Sequence, residues 1–563
     1  MSVAGERDGA HYAGDKQPRK RRRPRPGSAA ELAHTALRYV FSISIALFAF
    51  VLITPRSVLH ALVQPSSAFA VVLDAGSSGT RVHVFRFTPQ AGHTPRLLQH
   101  PFIMKQTPGL SAFVDEPEKA AEQISTLLRF ARSKVPAPQR GDTPVVLLAT
   151  AGLRLLAAQR GEAAAESVLE ACRPVLQDSA FLFRDEWAHI LPGSDEGAFA
   201  WVAANYAAGT LDASHKDNNS RRGGDVDVAA ASRTLGVLEL GGASVQVTYA
   251  VDDTGDGEAT KRVALSLPAG SGPQHGGASS SRTVSYTLYT RSFLGLGLDA
   301  AITAAAAFPG SAQHTGDSAD GGASAVDCRT FAACRAVAAH LLGLGKVACQ
   351  EGTESASSVG RRGACIMSPS PLGSRASVKP HSGIFVPAVR GEFVALENFK
   401  HVVDALNVGS AATLAQLGAA GDAACRGRHN GKSHAMSQAA GSHMPPLCFA
   451  SAYVFTLLHD ALGVPIHEGG ALGELDSTSV VRFVDTVHGI GVDWPLGALV
   501  AQYGALAHGP ARGELRMRTA IGLLTLCACI LPAVLWARQT DFRNSAAPAK
   551  AGAMPRSVSD VSL

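Results

Sequence analysis

Hydrophobic and polar positions along the chain predict a β-hairpin near residue 75. An apolar run at residues 71–73 ends on Asp74, and a loop of six small residues, 75–80, follows it. Alternating apolar positions resume over residues 82–87, which favours a second strand. Because no bulky side chain shields the loop, its N–H groups and three hydroxyls suit a phosphate. The carboxylate of Asp74 suits a hydrated divalent cation that neutralises that phosphate.

A second stretch repeats this pattern about 165 residues further along the chain. An apolar run at residues 237–238 meets Glu239, a glycine-rich loop follows at 241–244, and an alternating strand covers residues 245–249. One small-residue turn is commonly only a turn, whereas two acid-tipped copies predict duplicated lobes facing one nucleotide phosphate chain. The predicted fold class is therefore α/β, with two actin-like (RNase H-like) lobes around a nucleotide cleft.

Between the two hairpins, residues 144–148 predict a buried strand that leads into a small turn and a helix start at residues 149–156. Thr150 lies in this turn and Arg154 lies one helical turn beyond it, so both could approach a phosphate. The alternative is an ordinary connection between a strand and a helix.

The next helix predicted along the chain carries two acids, Asp195 and Glu196, in its first turn. Acids stabilise helix N-termini and Ser194 is a suitable cap, so helix capping is one interpretation. Aromatic residues further along predict that this helix is firmly packed. A carboxylate on such a rigid element, at the junction of two lobes, also suits a general base.

Periodicity elsewhere predicts further elements and some loose insertions. Helices are expected at residues 116–133, 330–344, 393–406 and 447–462, the last two amphipathic, and a strand turning into a helix at 283–300. Insertions are expected at residues 211–232, 252–282 and 310–326, with irregular structure at 351–382.

Two uncharged apolar stretches, residues 39–53 and 519–537, predict membrane-spanning helices. The alternatives are a cleaved signal peptide for the first and a buried helix for the second. The net charge of +5 is largely due to six basic residues within 19–25, just before the first stretch. Such a run is typical of a cytosolic flank, and a nucleic-acid partner is not expected.

Cysteine usage supports an oxidising compartment for the region between these spans. Six of the seven cysteines outside the second span lie in the later half, which indicates three disulfides, with Cys425–Cys448 an attractive local pair. Cys172 is expected to be a buried thiol. Asn218 begins a glycosylation sequon. The Gly431 segment ends like a P-loop but lacks the upstream glycine and strand, so we interpret it as a surface loop.

Five ordered segments resemble the signature regions of the apyrases, also called nucleoside triphosphate diphosphohydrolases. They are residues 74–81, residues 149–156, residues 190–197 with Trp201, Asn205 and Tyr206, residues 238–246, and a region from Cys448 that ends at 494–497. The resemblance covers roughly residues 70–500. It implies hydrolysis of nucleoside tri- and/or diphosphates to lower phosphates and inorganic phosphate.

The resemblance also implies a role for individual residues. Glu196 corresponds to the catalytic base, with Ser244 and Gln246 orienting the attacking water. Asp74 and Glu239 correspond to residues that hold Ca²⁺ or Mg²⁺ through water, with Trp494 nearby. The residues expected to contact phosphate or nucleotide are Ser77, Ser78, Gly79, Thr80, Thr150, Arg154, Gly241, Gly242 and Ala243.

Three departures from the family pattern bear on function. The fourth segment carries Glu239 where the family usually has Asp, so the metal or its water must shift. Lys400 and His401 stand where aromatic residues for base stacking are expected, which leaves base selectivity open. The first lobe lacks the early cysteine pair of cell-surface members, and this favours a Golgi or other endomembrane location over the plasma membrane.

The predicted organisation is a two-pass membrane enzyme with a luminal or, alternatively, extracellular domain. Its segments are a basic disordered tail (1–38), a signal anchor (39–54), a linker (55–68), a first lobe (69–192, completed by 485–508), a second lobe (193–484), a transmembrane helix (519–537) and a cytosolic tail (538–563). A sugar-kinase-like transferase and a nucleotide-sensing membrane protein are the alternative functions. Homo-oligomerisation stays open.

Overall fold

The computed structural model describes residues 38–39, 42–43, 67–90, 93–211, 234–251, 262–271, 281–307, 330–344, 363–366, 384–387, 389, 391–429, 447–466 and 480–507. Apart from the short fragments at 38–43, these belong to one compact unit, Gln64–Pro510. Two six-stranded sheets, each with helices against it, form this unit. The prediction of an α/β protein is therefore confirmed.

The first sheet contains the first acid-tipped hairpin. Its strands are β1 (Ala68–Ala75), β2 (Thr80–Thr88), β3 (Arg96–Leu97), β4 (Phe102–Gln106), β5 (Val145–Ala149) and β6 (Ala188–Ile190). Their order is β3-β2-β1-β5-β6, with β4 also pairing with β2. β2 runs antiparallel to β1, whereas β5 and β6 continue the sheet in parallel. The carboxyl ends of β1 and β5 consequently meet at one edge, where Asp74 and Thr150 lie.

Three helices follow strands of this sheet. They are α1 (Pro117–Lys134), α2 (Ala151–Arg160) and α3 (Glu162–Gln177), and short 3₁₀ turns cover Leu110–Phe113, Ala137–Asp142 and Asp185–Trp187. Apolar residues at helical spacing on α1, among them Ile124, Leu127 and Leu128, are fully buried in one cluster with apolar residues of β1 and β5. The free thiol of Cys172 is buried in the same cluster, as predicted, and burial raises its pKa to about 12.

The second sheet repeats the arrangement of the first around the second hairpin. Its strands are β7 (Gly236–Leu240), β8 (Ser244–Ala250), β9 (Arg262–Ser271), β10 (Ser281–Leu294), β13 (Glu392–Glu397) and β14 (Val480–Phe483), in the order β14-β13-β7-β8-β10-β9. β8 is antiparallel to β7, and β13 and β14 continue the sheet in parallel. Two short ribbons, β11 (Gly363–Ile366) with β12 (Ile384–Pro387) and β15 (Thr486–Val487) with β16 (Ile490–Gly491), complete the strands of the described part of the chain.

Two helices pack between the sheets. The helix α4 (Gly193–Ala208) carries Trp201, which is fully buried in a cluster that includes Val72 of the first sheet and Val237 of the second. The C-terminal helix of the described residues is numbered α10 (Trp494–Ala507) and packs along α4. A Cβ at Gly497 would lie 1.7 Å from the carbonyl oxygen of Phe199, so only glycine permits this close crossing.

The remaining helices cover the second sheet. They are α5 (Leu298–Ala306), α6 (Phe331–Leu341), α7 (Asn398–Ala405), α8 (Leu414–His429) and α9 (Leu447–Thr456), the last continuing as a π-helical turn at Leu457–Ala461. The predicted disulfide Cys425–Cys448 is present and joins α8 to α9. The Sγ atom of Cys334 lies 3.4 Å from that of Cys448, so α6 meets the same point.

Several sequence predictions are corrected by the structure. Residues 393–397 belong to β13 rather than to a helix, because pairing with β7 and β14 buries the short apolar run; so short a run is ambiguous by periodicity. Residues 448–458 are buried on every side and are not amphipathic. Residues predicted as a loose insertion, 252–282, include β9, and the irregular segment 351–382 includes β11.

Other predictions lie outside the described residues. These include nearly all of the span at 39–53, the whole span at 519–537, the sequon at Asn218 and the loop at Gly431. Within the part of the chain that the structure describes, no helix is both long enough and apolar enough to cross a membrane.

Candidate active site

The two hairpins place an acid at the same position of the same turn. In the first, Asp74 of β1 stands directly opposite Arg81 of β2. In the second, Glu239 of β7 stands directly opposite Gln246 of β8. Both acids lie seven residues before their cross-strand partner, and both are 5% exposed. The repeated sequence pattern is therefore a repeated geometry.

The two loops that follow the acids touch each other. A Cβ at Gly242 would lie 2.7 Å from Ser77 Oγ and 2.5 Å from Asp299 Oδ2. On the other side of the first loop, a Cβ at Gly109 would lie 2.5 Å from the carbonyl oxygen of Ser77, and one at Gly152 would lie 2.9 Å from its Cα. Glycine at these three positions lets three backbone segments converge on the loop that carries Ser77.

Members of the predicted phosphate loops differ in exposure. Ser78 is exposed and Ser77 half-buried, whereas Thr80 is fully buried, and its hydroxyl has no hydrogen-bond partner among the described residues. Gly79 abuts β4, where a Cβ would lie 2.6 Å from the carbonyl oxygen of Gln106. In the second loop, Gly241 and Gly242 are half-exposed and Ala243 is buried.

Glu196 projects from the first turn of α4 and is 6% exposed. The helix begins at Gly193 after Pro192 and has no side-chain cap, so the Ser194 cap considered from the sequence is absent. Instead, Arg154 Nη2 donates a hydrogen bond of 2.7 Å to Glu196 Oε2. Glu196 is therefore held by a cation from α2 rather than used to cap its helix.

Arg154 links the three predicted catalytic side chains. It contacts Glu196 and Ser244 directly and reaches Gln246 through Ser244. Its Nη2 also lies 3.3 Å from Ser244 Oγ, and its Nη1 donates to the carbonyl oxygen of Leu191 at 2.7 Å. Gln246 Nε2 donates to Ser244 Oγ at 2.7 Å, which leaves Gln246 Oε1 buried and without a partner in the described structure. The sequence placed Glu196, Ser244 and Gln246 in one site, and the structure brings them together. Thr150 lies beside them, 4% exposed, at the start of α2.

Burial and mutual repulsion raise the pKa values of the acids around this network. Burial raises the pKa of Asp74 to about 7, against the opposing effect of Arg81, which lies 3.4 Å away. The pKa of Glu239 is raised well above its ordinary value by burial and by the nearby charges of Glu196, Glu397 and Asp74. Burial of several acids close together favours protonation, so a cation that binds there must displace protons.

Two acids of this cluster were not singled out from the sequence. Asp493 precedes Trp494 in a signature segment, and burial raises its pKa to about 7. Its carboxylate lies 3.3 Å from His83 Nδ1, and burial lowers the pKa of His83 to about 3, so the imidazole is neutral. Glu397 ends β13, and no pattern in the sequence marks it, because that segment reads as part of a helix.

Trp494 begins α10 and is 4% exposed. It packs in the cluster between the sheets with residues of β1 and α4. Its neighbour Asp493 is electrostatically coupled to Asp74 and Glu239, which places this chain segment beside the acid cluster. Lys400, at a position where the sequence suggested an aromatic residue for base stacking, pairs with Asp404 along α7.

The acid cluster fits a divalent cation of the hard, oxygen-preferring type. Asp74 Oδ1 and Glu239 Oε2 are buried and have no hydrogen-bond partner among the described residues. Such oxygens are the ligands that Ca²⁺ and Mg²⁺ prefer, and an uncompensated buried carboxylate is otherwise costly. Within the described ranges, no three acids bring their oxygens within 4.8 Å of one another.

Comparisons with known proteins show which family the chain belongs to. The model of the GDA1/CD39 (nucleoside phosphatase) family matches residues 60–339. Probable apyrase 6 of Arabidopsis thaliana is 30% identical over 474 residues, covering 78% of this chain and 72% of that protein. The chain belongs to the GDA1/CD39 family. This confirms the predicted apyrase family, and the chain is a nucleoside phosphate hydrolase.

Other relatives extend the match. Probable apyrase 5 of Arabidopsis thaliana is 28% identical over 515 residues, covering 84% of this chain and 91% of that protein. Ectonucleoside triphosphate diphosphohydrolase 5 of Ailuropoda melanoleuca is 36% identical over 239 residues, covering 42% of this chain and 48% of its own. The crystal structure of nucleoside triphosphate hydrolases from Neospora caninum covers 82% of this chain and 98% of its own, with a TM-score of 0.50 and 15% identity. At that identity the likeness shows the fold.

Proposed function

We propose that this GDA1/CD39 protein hydrolyses nucleoside tri- and/or diphosphates by in-line attack of water, with a divalent cation bound between the two hairpins. One observation carries the proposal: Glu196, Ser244 and Gln246 form a single buried network around Arg154, directly beside the unpartnered oxygens of the acid cluster. Hydrolysis at phosphorus needs positioning and charge neutralisation more than covalent chemistry, and the site supplies both.

The attacking water requires two acceptors for its protons and a fixed position. Glu196 is the base that takes one proton, because its carboxylate is rigidly held by Arg154. The free Gln246 Oε1 accepts the other proton in a hydrogen bond, since its amide nitrogen is already committed to Ser244. The water's oxygen lone pair then forms the bond to the terminal phosphorus as the bond to the bridging oxygen breaks.

Asp74 and Glu239 are the residues that would hold the cation, which is Ca²⁺ or Mg²⁺ in this proposal. When bound, it neutralises charge on the phosphate chain and thereby favours the leaving group. The loops that contain Ser77 and Gly242 lie against each other where the hairpins meet, and both are built of small residues. They are the cradle for the phosphate oxygens. Trp494 borders this space from the start of α10.

The matched order of the two sheets supports the actin-like architecture. Each sheet has a hairpin followed by two parallel strands, β2-β1-β5-β6 in the first and β8-β7-β13-β14 in the second. In the proposed architecture they are the two lobes, with the nucleotide between them. The Cys425–Cys448 disulfide supports a luminal or extracellular domain, and the apolar stretches at 39–53 and 519–537 support two membrane spans, in the Golgi or another endomembrane.

The proposal is tested by phosphate release from a panel of nucleoside di- and triphosphates, with Mg²⁺ or Ca²⁺, by the purified full-length protein. Glu196→Gln is expected to lose roughly 10²-fold or more of the activity, about 3 kcal/mol, because it removes the base and leaves the shape unchanged. The matched control is Asp195→Asn in the same helical turn, which is expected to stay near wild type.

An unchanged thermal midpoint in Glu196→Gln would show that the loss is chemical rather than structural. Phosphate release by Glu196→Gln at the wild-type rate would overturn the base assignment. Transfer of the phosphoryl group only to an added hydroxyl acceptor, with no free phosphate otherwise, would instead support a kinase-like transferase.

A further inference from the structure

Glu397 is the last residue of β13, at the same sheet edge as the second acid-tipped hairpin. Parallel pairing aligns Leu396 with Glu239 and Glu397 with Leu240 on the neighbouring strand β7. Glu397 is therefore one register position beyond the acid that we assign to the cation. Its location follows from the strand that replaces the predicted helix.

The backbone of Glu397 has φ 56° and ψ −121°, a conformation that is rare for any residue other than glycine. A glutamate that persists there is held by its surroundings, and such residues cluster at functional sites. Helix capping does not account for it, because α7 begins at the next residue with no side-chain hydrogen bond from Glu397. Its side chain is 37% exposed, so burial does not account for it either.

In the described structure, the cation that forms an ion pair with Glu397 belongs to the other sheet. Arg81 Nη2 lies 4.0 Å from Glu397 Oε2, while Arg81 Nη1 lies 3.4 Å from Asp74 Oδ2. One guanidinium is thus shared between an acid of β1 and an acid of β13. Burial is the main cause of the raised pKa values of Asp74 and Glu239, and the negative charge of Glu397 raises both further. Glu397 therefore lies close to the whole acid cluster.

This sharing matters because Arg81 competes with the cation for Asp74. If Arg81 were attracted to Asp74 alone, its charge would neutralise the carboxylate and its donors would fill both oxygens. With Glu397 opposite, Arg81 contacts only Oδ2, and Oδ1 stays buried and unpartnered. Glu397 and Arg81 together hold one oxygen of Asp74 and leave the other available.

We propose that Glu397 is a positioning residue that acts through Arg81 to keep Asp74 available to a divalent cation. The chemical class of the ligand is the divalent cation that accompanies a nucleoside polyphosphate, so the inference rests on the proposed function. Residues that orient metal-holding groups from behind typically change metal affinity by about 10–100-fold when they are replaced.

The test measures Mn²⁺ binding to the chelator-treated full-length protein. Binding is detected by electron paramagnetic resonance, without substrate. Glu397→Gln keeps the shape and removes the charge, and it is expected to weaken Mn²⁺ binding by about tenfold. The matched control is Glu392→Gln at the other end of β13, an exposed acid paired with Arg482. That control is expected to stay within about twofold of wild type.

Two further variants separate positioning from folding. Glu397→Gly relieves the strained backbone, so a merely structural role predicts undiminished Mn²⁺ binding and a higher thermal midpoint. Our inference predicts weak Mn²⁺ binding in this variant as well. In an Arg81→Gln background, Glu397→Gln is expected to change Mn²⁺ affinity by less than about twofold, because its intermediary is gone.

Wild-type Mn²⁺ affinity in Glu397→Gln or in Glu397→Gly would overturn the inference. An equal loss with and without Arg81 would also overturn it, since Glu397 would then act without its intermediary. These measurements involve no hydrolysis. If wild-type protein binds Mn²⁺ but releases no phosphate from any nucleotide, the proposed function fails while the comparison between Glu397 and Glu392 still decides this inference.

Discussion

The two acid-tipped hairpins share one backbone geometry but differ in the charge of the residue opposite the acid. Each places a buried acid seven residues before its cross-strand partner, at the edge where the loops meet. In the first hairpin the partner is Arg81, a cation that contacts Asp74. In the second the partner is Gln246, a neutral amide that turns to Ser244 instead. The repeated hairpin thus sets the position of each acid, and the cross-strand residue determines whether the charge of that acid is compensated.

This difference gives the two hairpins different electrostatic roles in the site. Asp74 is partly compensated, which limits the cost of burying its charge. Glu239 has no hydrogen-bonded cation in the described structure, and its pKa is raised by burial and by three or more neighbouring acids. In the proposed mechanism, the neutral partner Gln246 can serve the attacking water because it is not needed to neutralise Glu239. The first hairpin therefore balances the charge of its acid, whereas the second places an uncompensated acid beside the residues that we propose orient the water.

The largest expected effect comes from neutralising each acid in turn. Asp74→Asn and Glu239→Gln should each lower metal-dependent phosphate release by roughly 10²-fold or more, because each removes one of the cation's two anchors. Their effects on the metal-free protein should differ. Glu239→Gln removes an uncompensated buried acid and should raise stability, on the order of 1–3 kcal/mol, whereas Asp74→Asn also costs Arg81 a partner and should raise stability less. Thermal unfolding in chelator measures this; equal shifts would remove the distinction between the hairpins.

A smaller effect is expected from separating the loops. A Cβ at Gly242 would lie 2.7 Å from Ser77 Oγ, whereas a Cβ at Gly241 would come no closer than 3.4 Å, to the carbonyl oxygen of Ser244. Gly242→Ala should displace the side-chain ends of Ser77 and Asp299, so it should lower kcat/KM at a cost of about 1 kcal/mol of stability, with Gly241→Ala as the control for stability alone. Similar unfolding curves and rates for both variants would show that contact between the hairpins is dispensable.

The smallest effect is a pH dependence of the metal-free protein. Burial raises the pKa values of Asp74 and Asp493 from about 4 when unfolded to about 7, so the folded state binds more protons than the unfolded state in this interval. Stability should therefore fall as pH rises from 4 to 7. Neutral, buried His83 acts in the opposite direction below its unfolded pKa and offsets part of the decline. Thermal midpoints in chelator should decline by several degrees, and added Mg²⁺ or Ca²⁺ should reduce the decline.

Sequence alone predicted the parts of the site that depend on local patterns. An apolar run, an acid and a glycine-rich loop specify a hairpin whichever sheet receives it, so Asp74 and Glu239 were found with their loops. The first turn of a packed helix likewise identified Glu196. These features depend only on residues that are close together along the chain. The structure brings them together in space.

The residues missed from the sequence depend on contacts between distant segments. Glu397 lies where a four-residue apolar run, too short to separate strand from helix, is fixed as a strand only by pairing with β7. Asp493 and His83 are more than 400 positions apart and meet only because α10 packs between the sheets. Arg81 belongs to a signature motif of the sequence. Its contacts with two acids, however, form only because both sheets come together.

The most direct test of the account is the number of Mn²⁺ ions bound per chain in the presence of a non-hydrolysable nucleoside triphosphate analogue, measured for wild type, Asp74→Asn, Glu239→Gln and the double variant. Because the proposal has both hairpins holding the same ion, each single variant should lose the protein-dependent site almost as completely as the double variant does. Loss that accumulates in two independent steps, or a site that persists unchanged in either single variant, would contradict a shared cation between the hairpins.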